Sequence, residues 1–405
     1  MTMGWVADKT ARWRRANPRD GRPSRKAARW PRTVPAAVLS GAELVHLGGG
    51  ESLPCPDADR LPLAPAAARA GLGTSRLALP AARVHVLTDV VVRPHCGVVT
   101  SADGRIVAES ATTSMVGRVP LDDTELRRSP IHMDGTVAIF RSPLRSTYHT
   151  LVDDLPRAGL LIHPALGRLG NMSVLHDGPL TDMETALLDH LGGRRVKLQE
   201  VDPGQPITAD RVVLPNFVTR PGAGAVPSWF RRWCDQVPLP CAAHGPRRVF
   251  LDSGVGRRAE NRGDLLSVLE RHRIEPLDPA SLAPAELLAI LRDADVVVGS
   301  ADDGLAGCLF SHRAHVVELL DDVTLDPAIY YMAACKGLPY DYVPAVVSES
   351  DRRPKRGRGA GAAGDRSPVI DIGWIDRLLD RVAAGGATSE NGGRERQVLR
   401  PARWR

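Results

Sequence analysis

Residues 248–278 read RVFLDSGVGRRAENRGDLLSVLERHRIEPLD, and residues 281–320 read SLAPAELLAILRDADVVVGSADDGLAGCLFSHRAHVVELL. Three apolar runs, Val249–Leu251, Val296–Val298 and Val316–Leu320, are too short for helices. Glycine, serine or charge flanks each of them, so they read as buried parallel strands. Helical spacing fills the gaps: Leu265, Leu266, Val268 and Leu269 in one, Leu287, Leu288, Ile290 and Leu291 in the next. Strand alternating with helix predicts a doubly wound α/β sheet. Ligands in such sheets bind beyond the carboxyl ends of the strands, which is where this stretch places its Gly, Asp, Arg and Ser residues.

Outward from that stretch, 405 residues suffice for two ordinary domains. The net charge of +6 is local. Residues 1–35 carry a net of +8 and the remaining 370 residues −2, so the basic balance describes a tail and not the folded body. Its arginines, with Trp5, Trp13 and Trp30 interleaved, suit peripheral contact with an anionic membrane surface, or nucleic acid. A solvated extension is the preferred reading, and nucleic acid is disfavoured as a partner. With no run of 18 apolar residues and no apolar segment of a signal peptide, neither a transmembrane helix nor classical secretion is expected. Six cysteines without metal-ligand spacing read as reduced thiols. Together these features predict a cytoplasmic protein, membrane-peripheral if the arm engages a surface, with no metal site and no cofactor.

The expected domain plan starts with a basic, largely disordered extension and irregular lead-in over 1–82, residues 48–82 being rich in Gly, Pro and Ala. An N-terminal α/β domain on the acceptor side follows over 83–235, with a hairpin signal at Asp103-Gly104. Residues 236–246 form a Pro-rich linker, and 247–350 a Rossmann-like domain. A basic flexible loop (351–367), an amphipathic helix (368–383) and a disordered tail (384–405) complete it.

Three segments carry candidate chemistry. In YHTLVDDLPR (148–157), His149 and Asp153 are four residues apart on one helical face, with Leu151, Leu155 and Ala158 on another. Such a pair suits a general base near neutral pH, or simply a surface pair. Pro156 predicts a break or kink. In Gly254–Asn261, Arg257 and Arg258 follow a Gly-containing turn at a helix start, a chemistry suited to a diphosphate. In Gly299–Leu305, Asp302 or Asp303 could cap a helix, and Glu318 is a carboxylate in an otherwise apolar strand, paired with a ligand hydroxyl or a core cation.

Taken together, YHTLVDDLPR, RVFLDSGVGRRAEN, the SLAPAELLAILRDADVVVG run and GLAGCLF…VVELL resemble glycosyltransferase family 61, whose bacterial members include capsular polysaccharide biosynthesis proteins. The resemblance covers roughly residues 83–345. It implies two Rossmann-like domains facing a cleft (GT-B-type) and transfer from a nucleotide-sugar donor to a hydroxyl of a polysaccharide or glycoconjugate acceptor. Inversion without a required metal is also implied. Matched to the family's motifs, His149 and Asp153 are the catalytic candidates. Arg257, Arg258, Asn261, Gly304, Leu305 and Glu318 are the donor-binding candidates, with Tyr148, Arg157, Asp302 and Asp303 beside them. The chain departs from the family pattern at Asp252-Ser253 and at Ala301-Asp302-Asp303. The alternative function is a non-catalytic, degenerate relative that binds a sugar or nucleotide.

Overall fold

The computed structural model describes residues 33–385 apart from 57, 64–71, 112–127, 143, 145, 181–183, 186–187, 189–195, 221–222, 240–244, 301–303, 322–324 and 348–366. Most of the arm (1–32), the tail from 386, the basic loop 351–366, Cys241, and Asp302 and Asp303 therefore lie outside the described residues, as do Leu187 and Leu191. The fold is mixed α/β, with two large sheets and one two-stranded ribbon.

The second sheet is built from the stretch that opened the sequence reading. Its strands, numbered within the whole chain, are β13 (Arg248–Leu251), β14 (Glu275–Leu277), β15 (Val296–Ser300), β16 (His315–Asp321), β17 (Tyr340–Val347) and β18 (Pro368–Ile370). They stand in the order β14-β13-β15-β16-β17-β18, all parallel except β18. Val249, Phe250, Val297, Val298, Val316 and Val317 are wholly buried, because both faces of a parallel sheet are covered. Order reverses between β13 and β15, so the ligand-binding crevice of such a sheet falls at Asp252-Ser253 and Ser300.

The first sheet has ten strands. Four of them, β9 (Ile131–Ala138), β10 (Met172–His176), β11 (Val196–Glu200) and β12 (Ile207–Pro215), are mutually parallel in the order β11-β10-β9-β12. Its order also reverses, between β9 and β12, and the carboxyl ends of those two strands form a second crevice. Antiparallel pairings extend this sheet through β2 (Glu43–Gly48), β5 (Ala82–Leu87), β6 (Val90–Arg93), β7 (Val98–Ser101) and β8 (Ile106–Val107), and β1 (Thr33–Val34) lies parallel to β8. The turn at Asp103-Gly104 joins β7 to β8, with Gly104 in the left-handed region.

The lead-in departs from the expected irregularity. Besides β2, strands β3 (Glu51–Pro54) and β4 (Arg76–Leu79) form the ribbon, and β2 pairs with β5. The side chains of β2 are exposed or half-buried throughout, so its order comes from the partner strand and leaves no apolar period to read.

Helix α1 runs from Thr147–His149 through a π turn, Thr150–Asp154, into Leu155–Leu161. Among the described residues follow α2 (Ser228–Gln236), α3 (Gly254–Arg258), α4 (Arg262–Arg271), α5 (Pro284–Asp293), α6 (Ala328–Lys336) and α7 (Ile372–Gly385). One core cluster takes residues from both sheets, including Ala138 and Val213 from the first and Leu251 and Val297 from the second. At its centre is a 3₁₀ helix, Leu305–Phe310, with every side chain buried. It packs against α1, α2, α5 and α6. Burial of one Leu or Phe is worth about 1.5–3 kcal/mol, so Leu305, Leu309 and Phe310 each add to the packing of this core. No helix among the described residues is long and apolar enough to cross a membrane.

Candidate functional site

Pro156 explains the shape of α1. It has no N–H to give to the fourth residue back, and its ring would crowd that carbonyl. The helix does not break. It widens by one residue, with the Leu155 N–H reaching the Thr150 carbonyl. Wide turns of this kind recur at functional sites because they redirect side chains. Here two adjacent carboxylates, Asp153 and Asp154, face inward and are 7% and 1% exposed.

Each carboxylate is fully engaged. Asp154 Oδ1 accepts the Ser142 backbone N–H at 2.6 Å. Asp153 Oδ2 lies 2.7 Å from His149 Nδ1, and a carboxylate can only accept, so Nδ1 carries the proton. Asp153 Oδ1 accepts the Thr219 hydroxyl at 3.0 Å. The imidazole itself is 22% exposed, and its Nδ1–H bond leaves Nε2 as the ring's basic atom. Ser146 caps the helix by accepting the His149 N–H. Tyr148 sits edge-on to the imidazole, centroids 5.2 Å apart at 86°. Burial, then the charges of Asp153 and Asp326, push its phenol well above the usual tyrosine value, so it stays a neutral hydroxyl.

This group occupies the carboxyl-end crevice of the first sheet, and Arg157 builds its floor. Fully buried, Arg157 donates from Nε to the Pro215 carbonyl at 3.1 Å. Its Nη1 donates to the Phe140 and Arg141 carbonyls at 2.9 and 3.3 Å. Its guanidinium lies 4.3 Å from the centre of the Phe217 ring. Arg157 thereby ties the diverging ends of β9 and β12 together, which gives this candidate a structural part. Next to it, Arg141 makes a buried bidentate pair with Glu184, at 2.9 and 3.0 Å from Nη2, and reaches Asp177 at 3.1 Å. This network closes the ends of β9 and β10.

At the second crevice, Gly299, Gly304 and Leu305 pack the end of β15 against β13. A side chain on Gly299 would meet Leu305 at 3.1 Å, and one on Gly304 would meet Leu251 at 3.0 Å. Leu305 is fully buried and contributes packing only. The Ser300 hydroxyl accepts the Val255 N–H at 3.2 Å, fixing the turn into α3. Arg257 projects outward, 3.1 Å from Asp278 and 3.9 Å from Asp252, with nearly half its side chain exposed. The Ala280 N–H, then the bond from Arg257, hold the Asp278 carboxyl below its ordinary value. Arg262 takes Asp252 at 2.7 Å. Arg258 is half-buried, and its Nε meets no partner among the described residues.

Two donor-side candidates are placed elsewhere. Asn261 brackets Ile370, donating to its carbonyl at 2.8 Å and accepting its N–H at 3.0 Å. It is therefore a clamp on β18. Glu318 is wholly buried, and its Oε2 accepts the Tyr340 hydroxyl at 2.5 Å. Burial and Glu318 both raise the Tyr340 phenol, which keeps its proton in this bond.

The two crevices are joined through α1, whose first turns pack on the Leu305–Phe310 helix that follows β15. The arrangement can therefore hold an imidazole base on one side and two guanidiniums on the other. Thr219 and Asp326 went unread in the sequence. Thr219 is 66 residues from its partner Asp153, and its only signal is the Pro-Gly dipeptide that follows it in the sequence.

None of the curated proteins matches the chain. Residues 147–317 match the family model Glycosyltransferase 61, a span that begins at the first turn of α1 and ends in β16. Across that span, which holds His149, Asp153, Arg257 and Arg258, the chain is similar to glycosyltransferase family 61.

Proposed function

We propose that the protein transfers a sugar from a nucleotide-sugar donor to an acceptor hydroxyl, in a cleft between two Rossmann-like units arranged as in GT-B enzymes. The observation that carries this reading is the His149–Asp153 pair, placed at one strand-end crevice and packed through the Leu305–Phe310 helix against the other.

The geometry divides the labour between the two residues. Both oxygens of Asp153 are occupied and the group is buried, so it orients and does not abstract. His149 Nε2 is the base. An acceptor hydroxyl gives its proton to Nε2 as its oxygen bonds to the anomeric carbon. The bond from that carbon to the diphosphate oxygen breaks, and its electron pair leaves with the diphosphate. In-line displacement of this kind inverts the anomeric centre. The imidazolium formed is stabilised by Asp153, the division of roles seen in His–Asp pairs of hydrolases.

Arg257 and Arg258 meet the leaving diphosphate. The Arg257–Asp278 pair is exposed, and such pairs are worth only about 0–1 kcal/mol. A diphosphate, which accepts bidentate guanidinium bonds, exchanges readily for that carboxylate. Glu318 and Asn261 act at a distance, by packing β16 against β17 and β18 against α4. The acceptor is a growing polysaccharide or glycoconjugate, and the arm at residues 1–35 is available for contact with a membrane surface.

Thermal shift against a panel of nucleotide sugars tests the donor site. A cognate donor at about 100 times its Kd stabilises the protein by about 2.7 kcal/mol. Arg257→Ala and Arg258→Ala should lose most of that shift. Stabilisation by none of the panel, or equal stabilisation of both variants, would overturn the assignment.

A further inference from the structure

We infer that Thr219 is a positioning residue for the base, the third member of a Thr219–Asp153–His149 chain; this rests on the reading of His149 as the base. The Thr219 hydroxyl donates to Asp153 Oδ1 at 3.0 Å while His149 Nδ1 donates to Oδ2 at 2.7 Å. Thr219 is 2% exposed and Asp153 7%. A carboxylate held by one oxygen can still rotate about its Cβ–Cγ bond. Held by both, it cannot, and the imidazole it orients keeps one ring position and one tautomer.

The segment that presents Thr219 is built to hold still. Asn216 binds Arg83 through both backbone and side chain, with Asn216 N to Arg83 O at 3.0 Å and Arg83 N to Asn216 Oδ1 at 2.8 Å. Its amide also donates to the Ala81 carbonyl at 3.0 Å. Phe217 covers the Arg157 guanidinium, and Val218 is buried. Past Thr219, Gly224 has φ +61°, and any side chain there would run into the Ala328 carbonyl at the start of α6. Asn216 is therefore tied to the first sheet, and Gly224 packs closely on the start of α6. Supporting residues held this way keep a reacting group in place.

Thr219→Val keeps the side chain's shape and removes the donor, whereas Thr219→Ser keeps the donor. Two measurements are made on the full chain. One is the donor-turnover rate with the nucleotide sugar that stabilises the protein. The other is the ¹⁵N shifts of the His149 ring, at a pH where the ring is neutral. Thr219→Val should lower kcat on the order of 10- to 100-fold, the worth of a hydrogen bond to a charged group, with KM for the donor unchanged. Its His149 should shift from the Nδ1–H tautomer toward Nε2–H. Thr219→Ser should stay within a few-fold of the parent in rate and keep the parent tautomer.

Equal rates and tautomers in Thr219→Val and the parent would overturn the inference. So would an equal loss in both variants, since that reports packing and not the hydroxyl. If the parent turns over no donor, the tautomer measurement still decides. A shift in Thr219→Val alone sustains the positioning role while the transferase reading fails, and no shift defeats both.

Discussion

His149 and Asp153 contribute in different ways, and substitution separates them. His149→Gln removes the basic atom and should cost about 10²- to 10⁴-fold in turnover, the usual worth of a general base. Donor binding should survive, because the guanidiniums lie on the other crevice. Asp153→Asn keeps the size but presents an amide that can donate, so the Nδ1–H tautomer is no longer enforced; turnover should fall on a similar scale at unchanged donor affinity. Arg157 behaves otherwise. Arg157→Ala leaves the carbonyls of Phe140, Arg141 and Pro215 without their donor in a dry interior. It should lose roughly 3 kcal/mol or more of stability, read from the midpoint of denaturant unfolding. A stable, inactive Arg157→Ala would contradict its structural role and restore it to the ligand side.

Among the elements, β18 and α7 are joined to the body through few polar contacts. Asn261 brackets Ile370, and Arg271 and His272 pair with Asp376 at 2.9 and 2.8 Å. Ile375, Leu378 and Leu379 supply the buried face. Asn261→Ala should therefore speed hydrogen exchange at the Ile370 amide and cost about 1–2 kcal/mol, while donor binding stays as it was. Loss of donor binding instead would return Asn261 to the site. The same elements show what a sequence discloses. The strands β13, β15 and β16 were legible because a doubly covered parallel strand is a continuous apolar run. Helices α4, α5 and α7 were legible through their spacing. The strands β2 to β4 were not, since their order comes from partners and Glu43, His46 and Glu51 keep them polar. Pro156 announced a disturbance, but whether it breaks a helix or widens it depends on the packing of Leu151 and Leu155. The His149–Asp153 pair was legible as spacing, while Thr219 reaches it only through the fold. The contacts of Glu318 with Tyr340 and of Asn261 with Ile370 were not legible, because a buried polar residue looks alike in sequence whatever it meets.

At the scale of the whole molecule, one core cluster runs through both sheets, and it encloses the thiols of Cys55, Cys234, Cys308 and Cys335. Among the described residues five cysteines are free and buried. Burial pushes Cys308 up to about 12 and Cys335 to about 11, and raises Cys234 further. These five thiols should resist alkylation at pH 8 in the native chain and react once it is unfolded. The sign of the pH dependence follows. A thiol with a raised folded-state pKa leaves the unfolded chain to ionise first, from its ordinary value of 9.0, so stability falls as pH climbs past 9. The buried phenols of Tyr148 and Tyr340 add to that fall above 10.0, their ordinary value. Equal unfolding midpoints at pH 7.5 and pH 10.5 would contradict this account of the core.

The joining of the two crevices is the claim on which the functional account stands. Its most direct measurement is turnover of a stabilising nucleotide sugar by the parent, His149→Gln and Arg258→Ala, with donor affinity determined for each. The account predicts that His149→Gln binds donor like the parent and turns it over at least about 100-fold more slowly, while Arg258→Ala loses affinity. Parent-like turnover by His149→Gln would contradict it.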